Sequence, residues 1–354
     1  MLPANCPSVG ATCPPREAMN QSSVFMVGEQ RSGSNLLRLM LASGGFAAPH
    51  PAHVLSRVTP LLPRFGDLQE DRNWERLVDT CCTLVERNPV PWEPLDSLDR
   101  AVIAAGCRDR SLVAVFGALM DAYAQANGRS RWACKSMGVV NFLDELERYF
   151  EAPRYVYLYR DPRDVTLSFT RAVVGEKHPY LIASRWAERQ RACLAAGDRL
   201  GPERFHGLSY EALTSDPRGT LTGLCRFLGI EFREEMLEGH ASSAAASAAG
   251  RSQLWENLDR PVMKSNTRKY LSGLQEAEIR MVEVTCADVM ERLGYEREFE
   301  DPAAGLDLSP AALEAYAAEN ERLKGLKREE MDPEDRARRR LQLSTLEELA
   351  ESAP

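Results

Sequence analysis

Apolar positions along the chain repeat with two different periods, and the alternation between them outlines the fold. Ser23–Val27 (SVFMV) is a short unbroken apolar run and predicts a buried strand. Asn35–Ala42 (NLLRLMLA) predicts a helix, so the first unit reads as strand, glycine-spaced loop, helix. Arg131–Ser136 (RWACKS) predicts a second core strand. Arg154–Tyr159 (RYVYLY) is the clearest strand, with aromatic and β-branched residues between Pro153 and Arg160-Asp161-Pro162. Phe205–Tyr210 (FHGLSY) is a weaker fourth. Between them, residues 53–128 are helix-rich with breaks at Pro60, Pro63, Pro89, Pro91 and Pro94. Within that stretch LVAVFGALMDAYAQA carries a helical apolar face that stops at Asn127-Gly128.

After RYVYLY, Asp161 is placed to cap a helix, Pro162 to open it and Asp164 to supply a capping carboxylate. A further helix is predicted over roughly Arg218–Leu228, closed by Gly229. Strands alternating with helices predict an α/β fold: a central, mainly parallel sheet flanked by helices in three layers. Residues 1–21 lack periodicity and read as a mobile leader, and the low-complexity stretch 239–250 as a mobile loop. Beyond Glu300 the chain becomes charged and amphipathic. Residues 309–327 and 333–351, with the basic run Arg336–Arg340, predict a C-terminal helical tail over 301–354. That tail reads as an arm or a homo-oligomer contact rather than catalytic machinery. The main domain then spans 22–300, with 54–128 as a helical insertion that shapes an acceptor pocket.

Composition narrows the class. The chain is 44% hydrophobic and 27% charged, with a net charge of -8. This is a soluble, globular balance, and it argues against general binding to nucleic acid or to anionic membranes. No apolar run approaches the ~20 residues of a membrane helix, and the first residues lack a signal-peptide core. The nine cysteines, Cys81-Cys82 included, form no CxxC and no Cys/His cluster. No zinc site is expected, and reduced thiols suit a cytoplasmic protein.

Two stretches carry candidate chemistry. In Gly28–Gly33 the glycines let the backbone approach an anion, and the helix that follows offers free N–H groups. Ser32, Ser34 and Asn35 add polar groups, and Arg31 adds a planar positive fork. Taken alone the loop is equally a strand-to-helix turn with an exposed arginine. Ser34 and Asn35 replace the Lys and Ser/Thr that close a magnesium-nucleotide loop, which weighs against a P-loop nucleotide kinase. In Arg160–Ser168 (RDPRDVTLS), Arg160 ends its strand, where open α/β sheets bind ligands. Ser168 lies about two turns into the next helix, so both residues can converge on one small anion.

Together these stretches resemble the signature elements of sulfotransferases that use 3'-phosphoadenosine 5'-phosphosulfate (PAPS), in particular the bacterial and tyrosylprotein-type branch. QRSGSNLLRLML resembles their 5'-phosphosulfate loop and YLYRDPRDVTLS their 3'-phosphate strand and helix. LSYEALTSDPRGTLTGLCRFLGI, RPVMKSNTRKYL and WACKS are similar to further segments, in the same order over about residues 23–295. The resemblance implies a P-loop-like three-layer fold. It implies PAPS as sulfuryl donor with no metal, and in-line transfer to a hydroxyl or amine of an acceptor. Arg31, Ser32, Gly33, Ser34 and Asn35 would grip the 5'-phosphosulfate, and Arg160 and Ser168 the 3'-phosphate. Tyr210 would lie beside the adenosine. Lys269, with Met263–Ser265, would close a late loop over the donor, and Lys135 would point at the transferring group.

The acceptor's proton needs a base, and here the chain departs from its relatives. Where the tyrosylprotein-type branch carries a glutamate, AAPHPAHVL has no carboxylate but holds His50 and His53. A neutral imidazole can accept a proton near neutral pH. His53 is the first candidate, His50 the second and Glu29 the third. GEKHPY (Gly175–Tyr180) reads as a surface turn, and Trp74 and Trp92 as helix packing. The acceptor stays open among small molecules, carbohydrates, lipids and peptides. A non-catalytic nucleotide-binding scaffold is the competing reading outside enzymes.

Overall fold

The structure is a computed structural model, and it describes residues 23–95, 97–239 and 266–351. Four parallel strands form its sheet: β1 (Ser23–Gly28), β2 (Trp132–Cys134), β3 (Arg154–Tyr159) and β4 (Phe205–Ser209), in the order β2-β1-β3-β4. All three pairings are parallel, for example Phe25 with Cys134, Phe25 with Tyr155, and Tyr157 with Gly207. The chain leaves β1 toward one edge and β3 toward the other. The order therefore reverses between β1 and β3, and a crevice opens at their carboxyl ends.

Side-chain alternation explains why both faces are covered. Phe25, Val27, Tyr155 and Tyr157 point to one face, where they meet Trp132 and a set of helices. Those helices are α2 (Val54–Val58), α3 (Asp71–Glu86), α4 (Arg100–Gly106) and α5 (Leu112–Ala126). Phe25 sits in an aromatic nest, edge-on to Trp132 at 5.4 Å and stacked on Tyr155 at 5.6 Å. Val24, Met26, Val156, Leu158 and Leu208 point to the other face, onto α1 (Ser34–Ser43) and α10 (Pro217–Leu228). Between these lie α6 (Leu143–Tyr149), α7 (Pro162–Arg171), α8 (Pro179–Leu200) and α9 (Tyr210–Ser215). The helices α11 (Tyr270–Gly273), α12 (Glu276–Thr285) and α13 (Ala287–Leu293) follow the undescribed stretch 240–265. Trp186 of α8 is fully buried in a satellite core with Val282, Cys286 and Met290.

The tail forms α14 (Pro310–Glu329) and α15 (Pro333–Glu351), as the amphipathic pattern predicts. It is not a detached arm. Asn320 of α14 is buried, and its side-chain oxygen accepts from the backbone N–H groups of Lys177 (2.7 Å) and His178 (3.0 Å). On α15, Gln342 is buried and its Nε2 donates to Leu84 O (2.8 Å) and Asn88 Oδ1 (3.2 Å), while Leu349 joins the main core. An amphipathic helix buries its apolar stripe wherever a surface is available, and α15 finds it on α3.

Several local expectations change. Gly175–Tyr180 is no surface turn: the Lys177 ammonium is buried and donates to the carbonyls of Phe169, Val174, Gly175 and Glu176 at 2.7–3.1 Å. His178 caps α8 and stacks on Tyr316 at 4.4 Å. Asp164 does not cap α7. Its carboxylate accepts instead from the backbone N–H of Arg268 (2.8 Å) and Tyr270 (3.1 Å), 104 and 106 residues away. Asp161 is the cap, accepting from Arg163 N at 2.9 Å. Trp74 and Trp92 pack as expected, and Trp92 Nε1 also donates to His50 O at 2.6 Å. Cys81 and Cys82 are buried free thiols whose pKa values burial raises, Cys82 to about 12, so neither is a reactive thiolate. The low-complexity stretch 239–250 falls almost entirely outside the described residues.

Where β1 ends, the backbone tolerates no side chain. Gly28 has φ 133°, and a Cβ there would lie 2.2 Å from the Leu158 carbonyl oxygen of β3. We therefore expect Gly28→Ala to cost at least about 3 kcal/mol from backbone strain and steric overlap. The midpoint of urea unfolding checks this, and an unshifted midpoint contradicts it.

Candidate functional site

The crevice between β1 and β3 receives the loop of the first and the terminal arginine of the second. Arg31 adopts the left-handed conformation (φ 68°), and Gly33 does so at φ 89°. A Cβ on Gly33 would lie 2.4 Å from the Tyr210 ring, so glycine is required there for close packing. Tyr210 opens α9 directly after β4, is buried, and accepts from Asn266 Nδ2 at 2.7 Å through its hydroxyl.

Arg160 lies across that same ring, its guanidinium carbon 4.3 Å from the centroid. Its Nη1 donates to Arg31 O (3.2 Å) and its Nη2 to Asn266 O (2.6 Å), with Asp164 Oδ2 3.5 Å away. Arg31 Nε in turn donates to Ser168 Oγ of α7 at 2.9 Å. Arg31, Arg160, Ser168 and Tyr210 thus form one connected cluster. Sequence spacing already brings Arg160 and Ser168 together. It carries no sign that Arg31 bridges to Ser168.

The cluster has anion-binding capacity in reserve. Among the described residues, the buried donors Ser32 Oγ and Arg160 Nε have no hydrogen-bond partner. The N-terminus of α1 carries no side-chain cap and no acidic residue in its first turn. Its free N–H groups and the positive end of its dipole face the loop.

Next to the loop, a pocket is lined by Gln30, Arg31, Ser34 and Asn35 on one side and by His50, His53, Arg57 and Asn88 on another. Lys135 follows β2 into this pocket, and Arg339 and Gln342 enter it from α15. Burial, with Arg38 and Arg31 nearby, lowers the Lys135 pKa from 10.5 to about 7. Arg57 Nη1 donates to Gln342 Oε1, so α2 and α15 meet at the rim.

The candidate bases separate on geometry. His50 is buried, and its Nε2 lies 2.9 Å from Arg38 Nη2. A guanidinium has only donors, so this nitrogen accepts and the ring proton sits on Nδ1. Its lone pair is therefore occupied by Arg38. His53 is half-buried and stands at the N-cap position of α2 in the left-handed conformation (φ 59°), with no side-chain capping bond. Burial, followed by Arg57, Lys135 and Arg339, lowers its pKa from 6.5 to about 3, so its imidazole is neutral at physiological pH. Glu29 is excluded. It is buried outside the pocket lining, 3.6 Å from Arg185 Nε and 3.8 Å from Arg189 Nε, and it holds α8 against the loop.

Lys269 is exposed, one residue before α11. Asp164 fixes the segment around it, but Lys269 is not among the residues lining the pocket. Met263–Ser265 lie outside the described residues. Sequence reasoning missed Arg57, Asn88, Asn266, Arg339 and Gln342. Arg57 stands one helical turn after His53 and could have been found by that spacing. The other four come from distant segments with no local signal.

A strand-loop-helix anion site at the switch point of a parallel sheet, wired to a second arginine, defines a protein that binds a phosphate- or sulfate-bearing ligand. A model of the sulfotransferase family matches residues 23–234, more than half of the chain, and the protein belongs to that family. Among solved structures, the sulfotransferase domain of the Synechococcus PCC 7002 olefin synthase is 25% identical, with a TM-score of 0.52 over 77% of this chain and 94% of that one. The sulfotransferase domain from the curacin biosynthetic pathway has the same fold, at 22% identity and TM-score 0.54 over 77% and 98% of the two chains. A comparison with curated protein sequences found no match. No helix among the described residues is long and apolar enough to cross a membrane.

The lowered Lys135 pKa sets a pH dependence of stability. Between pH 10.5 and about 7 the unfolded chain holds the lysine proton more tightly than the folded one, so stability falls as pH falls through that window. Lys135→Met removes this contribution. The variant should gain on the wild type progressively from pH 10 down to pH 7 and hold a constant gain below. Urea midpoints across that range check it, and a gap independent of pH contradicts it.

Proposed function

We propose that this sulfotransferase takes its sulfuryl group from PAPS and transfers it in line to a hydroxyl or amine of its acceptor. The observation that carries this reading is the Arg160–Arg31–Ser168 connection, which joins a strand-end arginine to a phosphate-type loop. A donor with anions at both its 3' and 5' positions matches two linked anion grips. The unpartnered donors Ser32 Oγ and Arg160 Nε fit such a ligand.

Roles follow from position. Ser32, Gly33, Ser34, Asn35 and the α1 N-terminus hold the 5'-phosphosulfate. Arg160 and Ser168 hold the 3'-phosphate, and Tyr210 positions Arg160 beside the adenosine. The Arg31 bond to Ser168 exchanges for bonds to the donor. Lys269 remains a candidate contact from the late loop. PAPS supplies an activated sulfur whose bond to the bridging phosphate oxygen breaks as a bond to the acceptor oxygen forms. Arg31 and protonated Lys135 stabilise the charge that develops on that bridging oxygen, a term typically worth ~3–4 kcal/mol per well-placed donor. The donor's negative charge favours the Lys135 ammonium, reversing the depression in the free protein.

His53 takes the acceptor proton. Its basicity is weak in the free protein because of burial first and then of Arg57, Lys135 and Arg339, and a bound polyanion beside those cations offsets their share. His50 positions this segment through Arg38 and through Trp92 and Asn88, which donate to its carbonyl. The buried free thiols suit a cytoplasmic setting.

Calorimetry tests the donor. 3'-Phosphoadenosine 5'-phosphate (PAP) should bind at least about a hundredfold more tightly than 5'-AMP or ATP-Mg, and Arg160→Ala should abolish most of that preference. Tighter ATP-Mg binding, insensitive to Arg160→Ala, would instead support a nucleotide kinase. Transfer of labelled sulfate from PAPS into a host-cell extract separates an enzyme from a binding scaffold.

The base has its own test, best made with His53→Asn, since asparagine tolerates the left-handed backbone. Turnover with an acceptor found in that extract should fall about a hundredfold or more, with PAP affinity unchanged. Unchanged turnover rejects His53.

A further inference from the structure

We infer that Gln342 of α15 is a positioning residue for the proposed base: through Arg57 and Asn88 it holds the two flanks of the His53 segment, which makes the tail part of the acceptor-side machinery. The inference rests on the reading of His53 as base. It extends that reading to a helix beyond the family match, which ends at residue 234.

His53 needs such support. It carries a Cβ and yet stands in the left-handed region at φ 59°. A side chain larger than glycine is strained there and keeps that conformation only where its surroundings over-determine it. Upstream, the His50 carbonyl accepts from Trp92 Nε1 (2.6 Å) and Asn88 Nδ2 (3.3 Å). Downstream, Arg57 stands one turn along α2, its backbone N–H donating to His53 O at 3.0 Å. Arg57 Nη1 donates to Gln342 Oε1. The same side chain reaches Asn88, because Gln342 Nε2 donates to Asn88 Oδ1 (3.2 Å) and to Leu84 O (2.8 Å). The two flanks of the base thus meet at one amide.

The chemistry of that junction admits little but glutamine. A guanidinium only donates and a backbone carbonyl only accepts, so the amide must turn its oxygen to Arg57 and its nitrogen to Leu84. Both Nε2 hydrogens are then in use. The Asn88 amide is oriented in turn, oxygen to Gln342 and nitrogen to the carbonyls of His50 and Val90 (2.7 Å). Glutamate at 342 would offer no donor, and methionine would offer neither donor nor strong acceptor. Gln342 and Asn88 are both buried, and with His50, His53 and Arg57 they line the pocket.

An apolar side chain would attach the same helix without burying an amide. A buried amide must recover its lost hydration bond by bond, so its net gain is small. Meanwhile α15 has other anchors: Leu349 joins the main core, and Thr345 Oγ1 accepts from Arg87 Nη1 at 3.0 Å. What a fully satisfied polar chain adds is one fixed geometry. Here that geometry ends at the residue that must meet the acceptor's proton, where a displacement of about 1 Å can cost a hundredfold in rate.

The test uses the full chain. Gln342→Met removes the donors and the acceptor at nearly constant volume, and Gln342→Glu keeps an acceptor for Arg57 alone. Thr345→Val removes another α15 anchor, one that is not among the pocket-lining residues. Turnover is measured with an acceptor found by labelled-sulfate transfer from PAPS into a host-cell extract. Gln342→Met should lower kcat about tenfold or more, with KM for PAPS and PAP affinity unchanged. Gln342→Glu should retain part of kcat and Thr345→Val all of it, although each variant lowers the urea midpoint. A second readout needs no acceptor. With five histidines in the chain, the His53 ring signal of isotope-labelled, PAP-saturated protein is assigned by its loss in His53→Asn. That signal should move in Gln342→Met and stay in place in Thr345→Val.

If Gln342→Met does not fold, Gln342→Glu carries both readouts. Wild-type kcat in the folded Gln342 variants, an unmoved His53 signal, or an equal loss of kcat in Thr345→Val overturns the inference. Unchanged turnover in His53→Asn overturns the base reading instead. Lost turnover in His53→Asn beside wild-type kcat in Gln342→Met overturns the positioning role alone.

Discussion

Arg160 is the constraint on which the site depends. Its side chain is buried, lies over the Tyr210 ring and donates to the carbonyls of Arg31 and Asn266, with Asp164 alongside. A buried guanidinium is tolerable only when its charge and donors are met. Here the partners come from the first loop, α7, the start of α9 and the segment after residue 265. One cation therefore sets the relative position of four pieces of chain. Gly33 participates because the Tyr210 ring that supports Arg160 leaves no space for a side chain at that position. An anion that bonds the remaining Nε would act on the same joint that holds the loop.

A second buried arginine, three residues further along, has a parallel structural role. Arg163 stacks on Tyr270 at 4.3 Å and pairs with Asp161 and Glu283, each at 2.7 Å. It binds α7 to α11 and α12, whereas Arg160 binds β3 to the loop. The sequence RDPRD thus contains one arginine beside the loop and one within the scaffold, and only their neighbours tell them apart. The acceptor side is organised differently. Its polar residues are linked through side-chain amides, with Gln342, Asn88 and the His50 carbonyl forming a chain from α15 into the base segment.

Legibility follows distance along the chain. The strand and helix of the first unit, the β3 motif, the α10 stop at Gly229 and the two tail helices are all readable, because apolar period and capping residues act within a few positions. The residues proposed to hold the donor can be nominated for the same reason, since Arg31 through Asn35 are contiguous and Ser168 follows Arg160 by two turns. Asp164 misleads because a carboxylate near a helix start looks like a cap, and its true partners lie more than 100 residues away. Glu29 looks available for chemistry until Arg185 and Arg189 come beside it. The role of α15 is illegible for a simpler reason. Arg57 and Gln342 are separated by 285 residues, and a basic amphipathic helix has the same sequence whether it faces solvent or closes a pocket.

The central claim is that the Arg31–Arg160–Ser168 cluster is a donor site assembled around two linked anions. A crystal structure with PAP tests it most directly. The account predicts the 3'-phosphate between Arg160 and Ser168, the 5'-phosphate on the Ser32–Asn35 backbone, and Arg31 Nε turned from Ser168 Oγ toward the 5' end. A nucleotide bound elsewhere, or bound here with the Arg31–Ser168 bond intact and Arg160 untouched, would contradict it.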